Sequence, residues 1–119
     1  MYEFHKDRKW YYEMQTLNTE KYVIPFIEEK LRLSPDTYIL EVGCGEGGVL
    51  KAFINKGCKG VGVDLDKGRI DLAKQFLEKE IAEGKIQFYS EDIYDSQFEE
   101  LFAEKFDLIV LKDVIEHIP

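Results

Sequence analysis

The sequence contains no hydrophobic run that approaches the roughly 18 apolar residues needed for a membrane-spanning helix. Its N-terminal stretch "MYEFHKDRKWYYEMQ" is charged throughout and lacks the apolar segment of a secretion signal. Only two cysteines are present, Cys44 and Cys58, and their separation does not match the paired spacing of a metal site. These absences argue against a membrane protein and a disulfide scaffold. We therefore predict free thiols in a cytoplasmic protein with no membrane contact.

The second half of the sequence is poor in basic residues. Residues 1–60 contain nine Lys or Arg and nine Asp or Glu, whereas residues 61–119 contain seven basic and 15 acidic residues, giving a net charge of −8. An acidic surface repels a phosphate backbone, so the charge disfavours nucleic acid as a partner. A hydrophobic content of 45% in 119 residues indicates one globular domain.

Strand-like and helix-like segments alternate along the chain. The predicted buried strands are "TYILEV", "KGVGVD", "KIQFYS" and "FDLIVLK". The segments between them have helical periodicity: "GGVLKAFINK", ended by Gly57, "DKGRIDLAKQFLEKEIAEG", ended by Gly84, and "DSQFEELFAEK". This alternation predicts an α/β fold with a parallel sheet.

The N-terminal region is predicted to divide at residue 17. Residues 1–17 form an aromatic and charged arm, and residues 18–119 form the folded domain. A helix is expected to begin at Asn18 or Thr19, which are suitable capping residues. Pro25 lies inside its periodic pattern, so we expect a kink or a late helix start there.

The sequence ends at Pro119, directly after a strand whose "LIVL" core is apolar on both faces. Such a strand normally lies inside a sheet, covered on both sides. We therefore expect the sheet to be truncated after its fourth strand, with the rest in a longer protein. A bare fourth strand also predicts self-association, edge to edge about a two-fold axis, as a homodimer.

A glycine-rich loop follows the first strand, in "YILEVGCGEGGVLKAF". Gly43, Gly45 and Gly48 match the dinucleotide-binding pattern G-x-G-x-x-G, and Asp64 follows near the spacing of a ribose-binding acid. Gly43, Gly45 and Gly47 also match the pattern E-x-G-x-G-x-G. Glycine spacing alone leaves both interpretations open.

Charge distinguishes the two interpretations of the loop. A dinucleotide places its pyrophosphate on the helix N-terminus, where Glu46 would repel it. S-adenosylmethionine has no phosphate and carries a cationic ammonium and sulfonium. Glu41 and Glu46 therefore favour S-adenosylmethionine over a nicotinamide or flavin dinucleotide.

The segment "ILEVGCGEGG" resembles the first motif of class I S-adenosylmethionine-dependent methyltransferases. "VGVDLD" resembles the second motif, "FYSEDIYD" the third, and "FDLIVLKDVIEHIP" the fourth with the segment after it, all in the family's order. The resemblance covers about residues 18–119. It implies a Rossmann-like three-layer sandwich, with S-adenosylmethionine as cofactor and S-adenosylhomocysteine as product.

The resemblance also implies roles for individual residues. Asp64 would hold the ribose hydroxyls, Asp92 would accept from the adenine amino group, and Ile93 would donate its backbone N–H to the ring. The glycine amides would meet the methionine carboxylate. Apart from the resemblance, we interpret Cys44 as a small filler in the loop and not as a reactive thiol. The whole implied cofactor site is Glu41, Gly43, Cys44, Gly45, Gly47, Asp64, Leu65, Glu91, Asp92, Ile93, Lys112 and Tyr12.

Several of these residues have simpler interpretations. Asp64 could cap the following helix, although Asp66 can fill that role equally well. Trp10, Tyr11 and Tyr12 are expected to pack on the sheet or the first helix. Alternatively they cover the cofactor, because aromatic faces attract onium cations.

The segment "DVIEH" has three interpretations. On a helix, Asp113, Glu116 and His117 share one face. This arrangement suits a divalent metal site, a His general base oriented by an acid, or simply a capped helix start. The last is favoured; we assign no metal and take His117 as the candidate catalytic residue.

We therefore predict a methyltransferase that acts on a small-molecule acceptor, and we expect this chain alone to show no ordinary turnover. The alternatives are an NAD(P)- or flavin-binding oxidoreductase half-domain and a non-catalytic S-adenosylmethionine-binding module.

Overall fold

The computed structural model describes residues 2–90 and 105–111. Its strands are β1 (Tyr38–Val42), β2 (Lys59–Val63), β3 (Ile86–Tyr89) and β4 (Leu108–Val110). Its helices are α1 (Tyr2–Asn18), α2 (Ile24–Glu28), α3 (Gly48–Asn55), α4 (Lys67–Phe76) and α5 (Glu78–Ala82), with a π-helical turn, Thr19–Val23, between α1 and α2. All strand pairs in the described sheet are parallel, so the predicted α/β class is confirmed.

The strand order is β3-β2-β1-β4, and it reverses at β1. In register, Glu41 of β1 lies beside Gly62 of β2 on one side and Val110 of β4 on the other. Open α/β sheets bind ligands outside the carboxyl ends of their strands, at the point where the order reverses. The glycine loop, residues 43–47, leaves β1 at this point.

The hydrophobic core lies between one face of the sheet and the helices α1, α3 and α4. Its fully buried members include Ile39 of β1, Leu50 and Phe53 of α3, and Ile70 of α4. The opposite face of the sheet presents a second buried apolar group: Leu40, Val42, Val61 and Val63. The helix predicted over "DSQFEELFAEK" and the segment "DVIEHIP" fall outside the described residues, so the second helical layer stays a prediction.

The N-terminal helix begins much earlier than the sequence suggested. Asn18 makes no side-chain capping bond, and the Thr19 hydroxyl donates to the Gln15 carbonyl oxygen at 2.7 Å. The prediction of a helix cap at Asn18 or Thr19 was therefore wrong, because both residues continue a helix that is already formed. The expected late helix start at Pro25 was wrong as well, because the helical segment runs without a gap from the π-helical turn into α2. Pro25 is accommodated in the first turn of α2, where its missing N–H is tolerated.

The arm aromatics are divided between the core and the surface. Tyr12 is buried and its ring centroid lies 4.9 Å from that of Phe76 in α4. Trp10 and Tyr11 are 63% and 49% exposed, so the expectation that they pack on the sheet or first helix was wrong. On α1 they occupy positions turned away from the face that carries Tyr12.

The long helix predicted after β2 is interrupted at Leu77. This residue leaves helical geometry, with φ −112° and ψ 26°, and separates α4 from α5. Its side chain is fully buried in the core, and its N–H still donates to the Ala73 carbonyl oxygen at 2.9 Å. Gly57 (φ 97°) and Gly84 (φ 74°) follow α3 and α5 in the left-handed region, as predicted for helix stops.

Across residues 2–90 and 105–111, no helix combines the length and the apolar character required to cross a membrane.

Candidate functional site

The glycine loop is fastened to the end of β2. The N–H groups of Gly43 and Cys44 both donate to the Val63 carbonyl oxygen, at 2.8 and 3.1 Å, and the Gly47 N–H donates to the Cys44 carbonyl at 3.0 Å. Gly43, Gly45 and Gly47 have φ values of 78°, 56° and 89°, which only glycine adopts without strain. The turn predicted from the glycine spacing is therefore present at the switch point of the sheet.

Asp64 joins this loop to the turn after β2. Its Oδ2 accepts the Gly45 N–H at 2.9 Å and its Oδ1 accepts the Asp66 N–H at 2.8 Å. The cap of α4 is Asp66, which accepts the Arg69 N–H at 3.2 Å, so Asp64 is not the helix cap. Asp64 is only partly buried, and each carboxylate oxygen has a second lone pair for an incoming hydroxyl. Its geometry therefore fits the predicted ribose acid.

The backbone amides of the loop have a different role from the one expected. In this arrangement the N–H groups of Gly43, Cys44, Gly45 and Gly47 all donate to acceptors within the chain. They brace the turn and do not present donors to a ligand carboxylate. Helix α3 starts directly after Gly47, which supplies no side-chain cap, so the first turn of α3 offers N–H donors beside the loop.

Two of the glycines are also required by packing. A Cβ atom on Gly47 would lie 2.8 Å from Leu77 Cδ1 and 2.9 Å from Phe88 Cζ. A Cβ atom on Gly48 would lie 2.7 Å from the Tyr12 carbonyl oxygen of α1. The loop is therefore enclosed by α1, by the break after α4 and by β3.

The two acidic residues of the loop region are both buried. Glu41 is 1% exposed in β1 and Glu46 is 2% exposed in the loop. Arg8 of α1 forms a hydrogen-bonded ion pair with Glu46 Oε1, and Arg69 Nε lies 3.9 Å from the same oxygen. The expectation that Glu46 repels a diphosphate was therefore wrong, because its charge is already compensated by two guanidinium groups.

Three further predicted residues differ in their surroundings. Cys44 is 1% exposed, and a Cβ on the neighbouring Gly62 would lie 2.8 Å from its Sγ, so the thiol fills a space left by a glycine, as predicted. Leu65 is 74% exposed next to Asp64. Tyr12 packs on Phe76 inside the core, and burial raises the pKa of its phenol. Its position agrees with the packing interpretation.

The structure brings Glu41, Gly43, Cys44, Gly45, Gly47 and Asp64 together at one edge of the sheet. Glu91, Asp92, Ile93, Lys112 and the candidate base His117 lie outside the described residues, as do Asp113 and Glu116. Within the described ranges, no three His, Cys, Asp or Glu side chains form a potential metal site.

A cavity of about 360 Å³ opens at the opposite edge of the sheet, away from this site. Its lining includes Tyr38, Lys59 and Ile86, which begin β1, β2 and β3. Because ligands of open α/β sheets bind at the carboxyl ends of the strands, this cavity is not the candidate cofactor site.

Arg8 and Arg69 were not identified from the sequence as the partners of Glu46 in the glycine loop. Arg8 lies 38 residues before its partner Glu46, and no local spacing connects the two. The available signal was the burial of a charge, since a buried carboxylate requires a cationic partner. That signal appears only once the fold is known.

A parallel sheet with a glycine loop at its switch point and an aspartate at the end of the next strand defines a Rossmann-like cofactor-binding domain. The chain belongs to the methyltransferase-domain family, whose model matches residues 14–119. The family predicted from the four motifs is thus confirmed.

Individual relatives agree with this assignment. The chain is 30% identical over 96 residues to the ubiquinone biosynthesis O-methyltransferase of Coxiella burnetii, a match that covers 81% of this chain and 38% of the relative. The magnesium protoporphyrin IX methyltransferase from Synechocystis PCC 6803, solved with bound SAM, has a TM-score of 0.66 at 23% identity, covering 89% of this chain and 48% of the other, and shows the shared fold. PKMT2 from Rickettsia typhi, solved in complex with AdoHcy, has a TM-score of 0.53 at 29% identity. The match covers 65% of this chain and 14% of PKMT2. The chain spans about two fifths of the length of the curated relatives that it matches.

Proposed function

We propose that this chain provides the S-adenosylmethionine-binding part of a methyltransferase. The observation that carries the proposal is the Asp64 carboxylate, which lies at the carboxyl end of β2 and accepts the Gly45 N–H of the glycine loop at 2.9 Å. A carboxylate with the capacity to accept hydroxyl hydrogen bonds thus lies beside a tight backbone turn at the switch point, which supports the proposal. Family membership supports a methyl donor over a nicotinamide or flavin dinucleotide.

The reaction that follows is a direct displacement. A lone pair of the acceptor forms a bond to the methyl carbon while the carbon–sulfur bond breaks, and that electron pair stays on sulfur. The sulfonium becomes the neutral thioether of S-adenosylhomocysteine, and a hydroxyl acceptor loses its proton to a base. Because the leaving group is already activated, the protein chiefly supplies position and exclusion of water. His117 remains our candidate for the base.

We propose a small-molecule hydroxyl as the acceptor. The Coxiella burnetii relative is named as an O-methyltransferase of ubiquinone biosynthesis, which supports oxygen as the acceptor atom. The residues after β4, Lys112 and Asp113, also depart from the Asn- or Asp-Pro-Pro-Tyr segment of enzymes that methylate amino groups in nucleic acids. Cys44 and Cys58 are both buried and neither is in a disulfide, which suits a reducing compartment and supports a cytoplasmic location.

Ligand titration followed by NMR tests the proposal, because it detects binding even when the affinity of this chain is weak. We expect S-adenosylhomocysteine to shift the amide resonances of Gly45 and Asp66, which donate to Asp64, and NADH to leave them unchanged. Asp64→Asn removes the charge that accepts two hydroxyls, and each such bond is worth about 1.5–3 kcal/mol. We therefore expect this variant to weaken binding of S-adenosylhomocysteine by roughly tenfold or more.

The matched control is Asp66→Asn. Asn is as good a helix cap as Asp, so this change keeps the fold and removes a neighbouring charge of the same sign. Binding should change by less than about threefold in the control. Shifts caused by NADH alone, or equal effects of the two substitutions, would show that Asp64 is not the ribose acid of a methyltransferase.

A further inference from the structure

The cavity of about 360 Å³ at the amino-terminal edge of the sheet is rich in lysine. Its wall contains Lys59, Lys85 and Lys105 together with two acids, Asp36 and Asp107. The wall thus carries one excess positive charge, whereas the whole chain has a net charge of −8. Small-molecule sites usually have volumes of about 300–1,000 Å³, so the cavity is large enough for a small ligand.

Two of the three lysines lie side by side on neighbouring strands. Gly60, the residue after Lys59 in β2, is in register with Ile86 of β3. The Gly60 N–H donates to the Lys85 carbonyl oxygen at 3.0 Å, so Lys85 is the lateral neighbour of Lys59, at a strand spacing of about 4.7–4.9 Å. Side chains in register project from the same face of a sheet, and both lysines line the cavity. Like charges placed in this way repel each other, so an anion between them would stabilise the pair.

The positive charge of the three lysines is only weakly compensated by ion pairs. Lys59 and Lys105 form none within the part of the chain that the structure describes. Lys85 Nζ lies 3.4 Å from Glu83 Oε1, but both side chains are exposed, and an exposed pair of this kind contributes little. The ammonium groups therefore keep most of their capacity to bind an anion.

Two further polar side chains of the wall have hydrogen bonds that determine what they offer a ligand. Gln87 of β3 accepts the Tyr89 hydroxyl with its Oε1 at 2.8 Å, so its NH₂ group is the part that can donate to a ligand. Asp107 accepts the Tyr38 N–H with its Oδ2 at 2.8 Å, so this carboxylate already interacts with a backbone donor. The cavity thus combines three ammonium groups with an amide donor.

We propose that this cavity binds a small phosphate anion, inorganic phosphate or a phosphate monoester, among Lys59, Lys85 and Lys105. Lysine binds phosphate as a point charge, and the several oxygens of a phosphate suit ammonium groups that come from three separate segments. The acidic chain as a whole repels a polyanion such as nucleic acid. Because the excess charge is small and the lysines are exposed, we expect a dissociation constant of about 1 mM. Binding here does not require S-adenosylmethionine, since the two sites lie at opposite edges of the sheet.

Anion titration of the whole 119-residue chain, followed by NMR, tests this site. We expect inorganic phosphate and glycerol phosphate to shift the amide resonances of Lys59, Gly60 and Lys85 in a saturable way, and to leave Gly45 of the glycine loop unchanged. Sodium chloride at matched ionic strength should not reproduce these shifts, because screening alone is not saturable binding. Tighter binding of glycerol phosphate would identify a phosphate monoester as the ligand, and equal binding would identify inorganic phosphate.

Single charge substitutions test the role of the cavity wall. Lys59→Gln should weaken phosphate binding by about threefold to tenfold, and Lys59→Arg, which keeps the charge, should retain most of the affinity. Asp36→Asn removes a negative charge from the wall and should strengthen binding by about twofold to threefold, a gain that a merely structural role does not produce. Lys56→Gln is the matched control, because Lys56 is exposed, lies three residues before Lys59 and is not part of the wall. It should change binding by less than about twofold.

The outcomes that would overturn the proposal are equally specific. All the substituted side chains are exposed, so thermal unfolding should show each variant folded. No saturable shift at Lys59 and Lys85 up to about 50 mM phosphate would exclude the site. Equal weakening by Lys59→Gln and Lys56→Gln would do the same, because it would reduce the effect to the total charge of the chain.

Discussion

Adding a single methyl group at Gly47 tests whether the close packing around the glycine loop contributes to the stability of the fold. Gly47→Ala introduces two separate costs. The residue has φ 89°, where an L-amino acid is strained, and its new Cβ would lie 2.8 Å from Leu77 Cδ1 and 2.9 Å from Phe88 Cζ. Both neighbours are buried, so neither moves freely.

The size of the effect follows from these two costs. A left-handed conformation costs a non-glycine residue about 1–2 kcal/mol. Overpacking a core by one carbon adds about 1–3 kcal/mol. The expected loss in the free energy of unfolding is therefore about 2–5 kcal/mol. For a chain of this size, about 4 °C in Tm accompanies each kcal/mol, so Tm should fall by roughly 8–20 °C.

Gly84→Ala separates the two costs. Gly84 has φ 74°, but nothing lies within 4 Å of an added Cβ. Only the backbone strain remains, about 1–2 kcal/mol or roughly 4–8 °C. Urea denaturation of the two variants, with wild type in parallel, gives the comparison directly. If both variants lose the same stability, the close approach of Leu77 and Phe88 to the loop has no energetic consequence and our packing argument fails.

Two ion pairs give the remaining predictions. Arg8→Met should lower the free energy of unfolding in urea denaturation by about 3 kcal/mol, because it leaves Glu46 buried without its main partner. Glu46→Gln should lower it by only about 1 kcal/mol, because Arg8 can reach water. Equal losses in the two variants would contradict this explanation. Lys51 Nζ lies 2.5 Å from Glu80 Oε2. Burial is the largest single influence and raises the pKa of Glu80. The hydrogen bond from Lys51, a backbone hydrogen bond and the charges of Lys51 and Lys79 together outweigh it, so that the pKa is lowered in the folded state. The pair therefore stabilises the fold above the unfolded pKa of about 4.3, and this contribution is lost as pH falls through the folded value. Lys51→Met should thus cost about 1 kcal/mol at pH 7 and progressively less below about pH 4, and a difference that does not depend on pH would contradict the assignment.

The elements with a strong local signal were predictable. β1, β2 and β3 follow apolar runs bounded by turns, and Gly57 and Gly84 stop their helices through local backbone geometry. The glycine loop and Asp64 were found for the same reason, since a tight turn and a strand-end acid are both encoded within a few residues.

The errors came from contacts between residues far apart in sequence. Asn18 and Thr19 are good caps in isolation, but α1 packs against α3 and extends the helix through them. Glu46 was judged by its own charge, and its partner Arg8 is 38 residues away. In each case a tertiary contact outweighed a correct local preference.

The shared Val63 acceptor has a consequence for how a ligand is received. Because Gly43 and Cys44 are already hydrogen-bonded to the neighbouring strand, the turn keeps its conformation without a bound ligand. The chain therefore loses little conformational entropy at this turn when a ligand binds. Affinity at the turn then depends on how well the shape of the ligand complements a rigid backbone. Calorimetric signatures of local folding are not expected from residues 43–47.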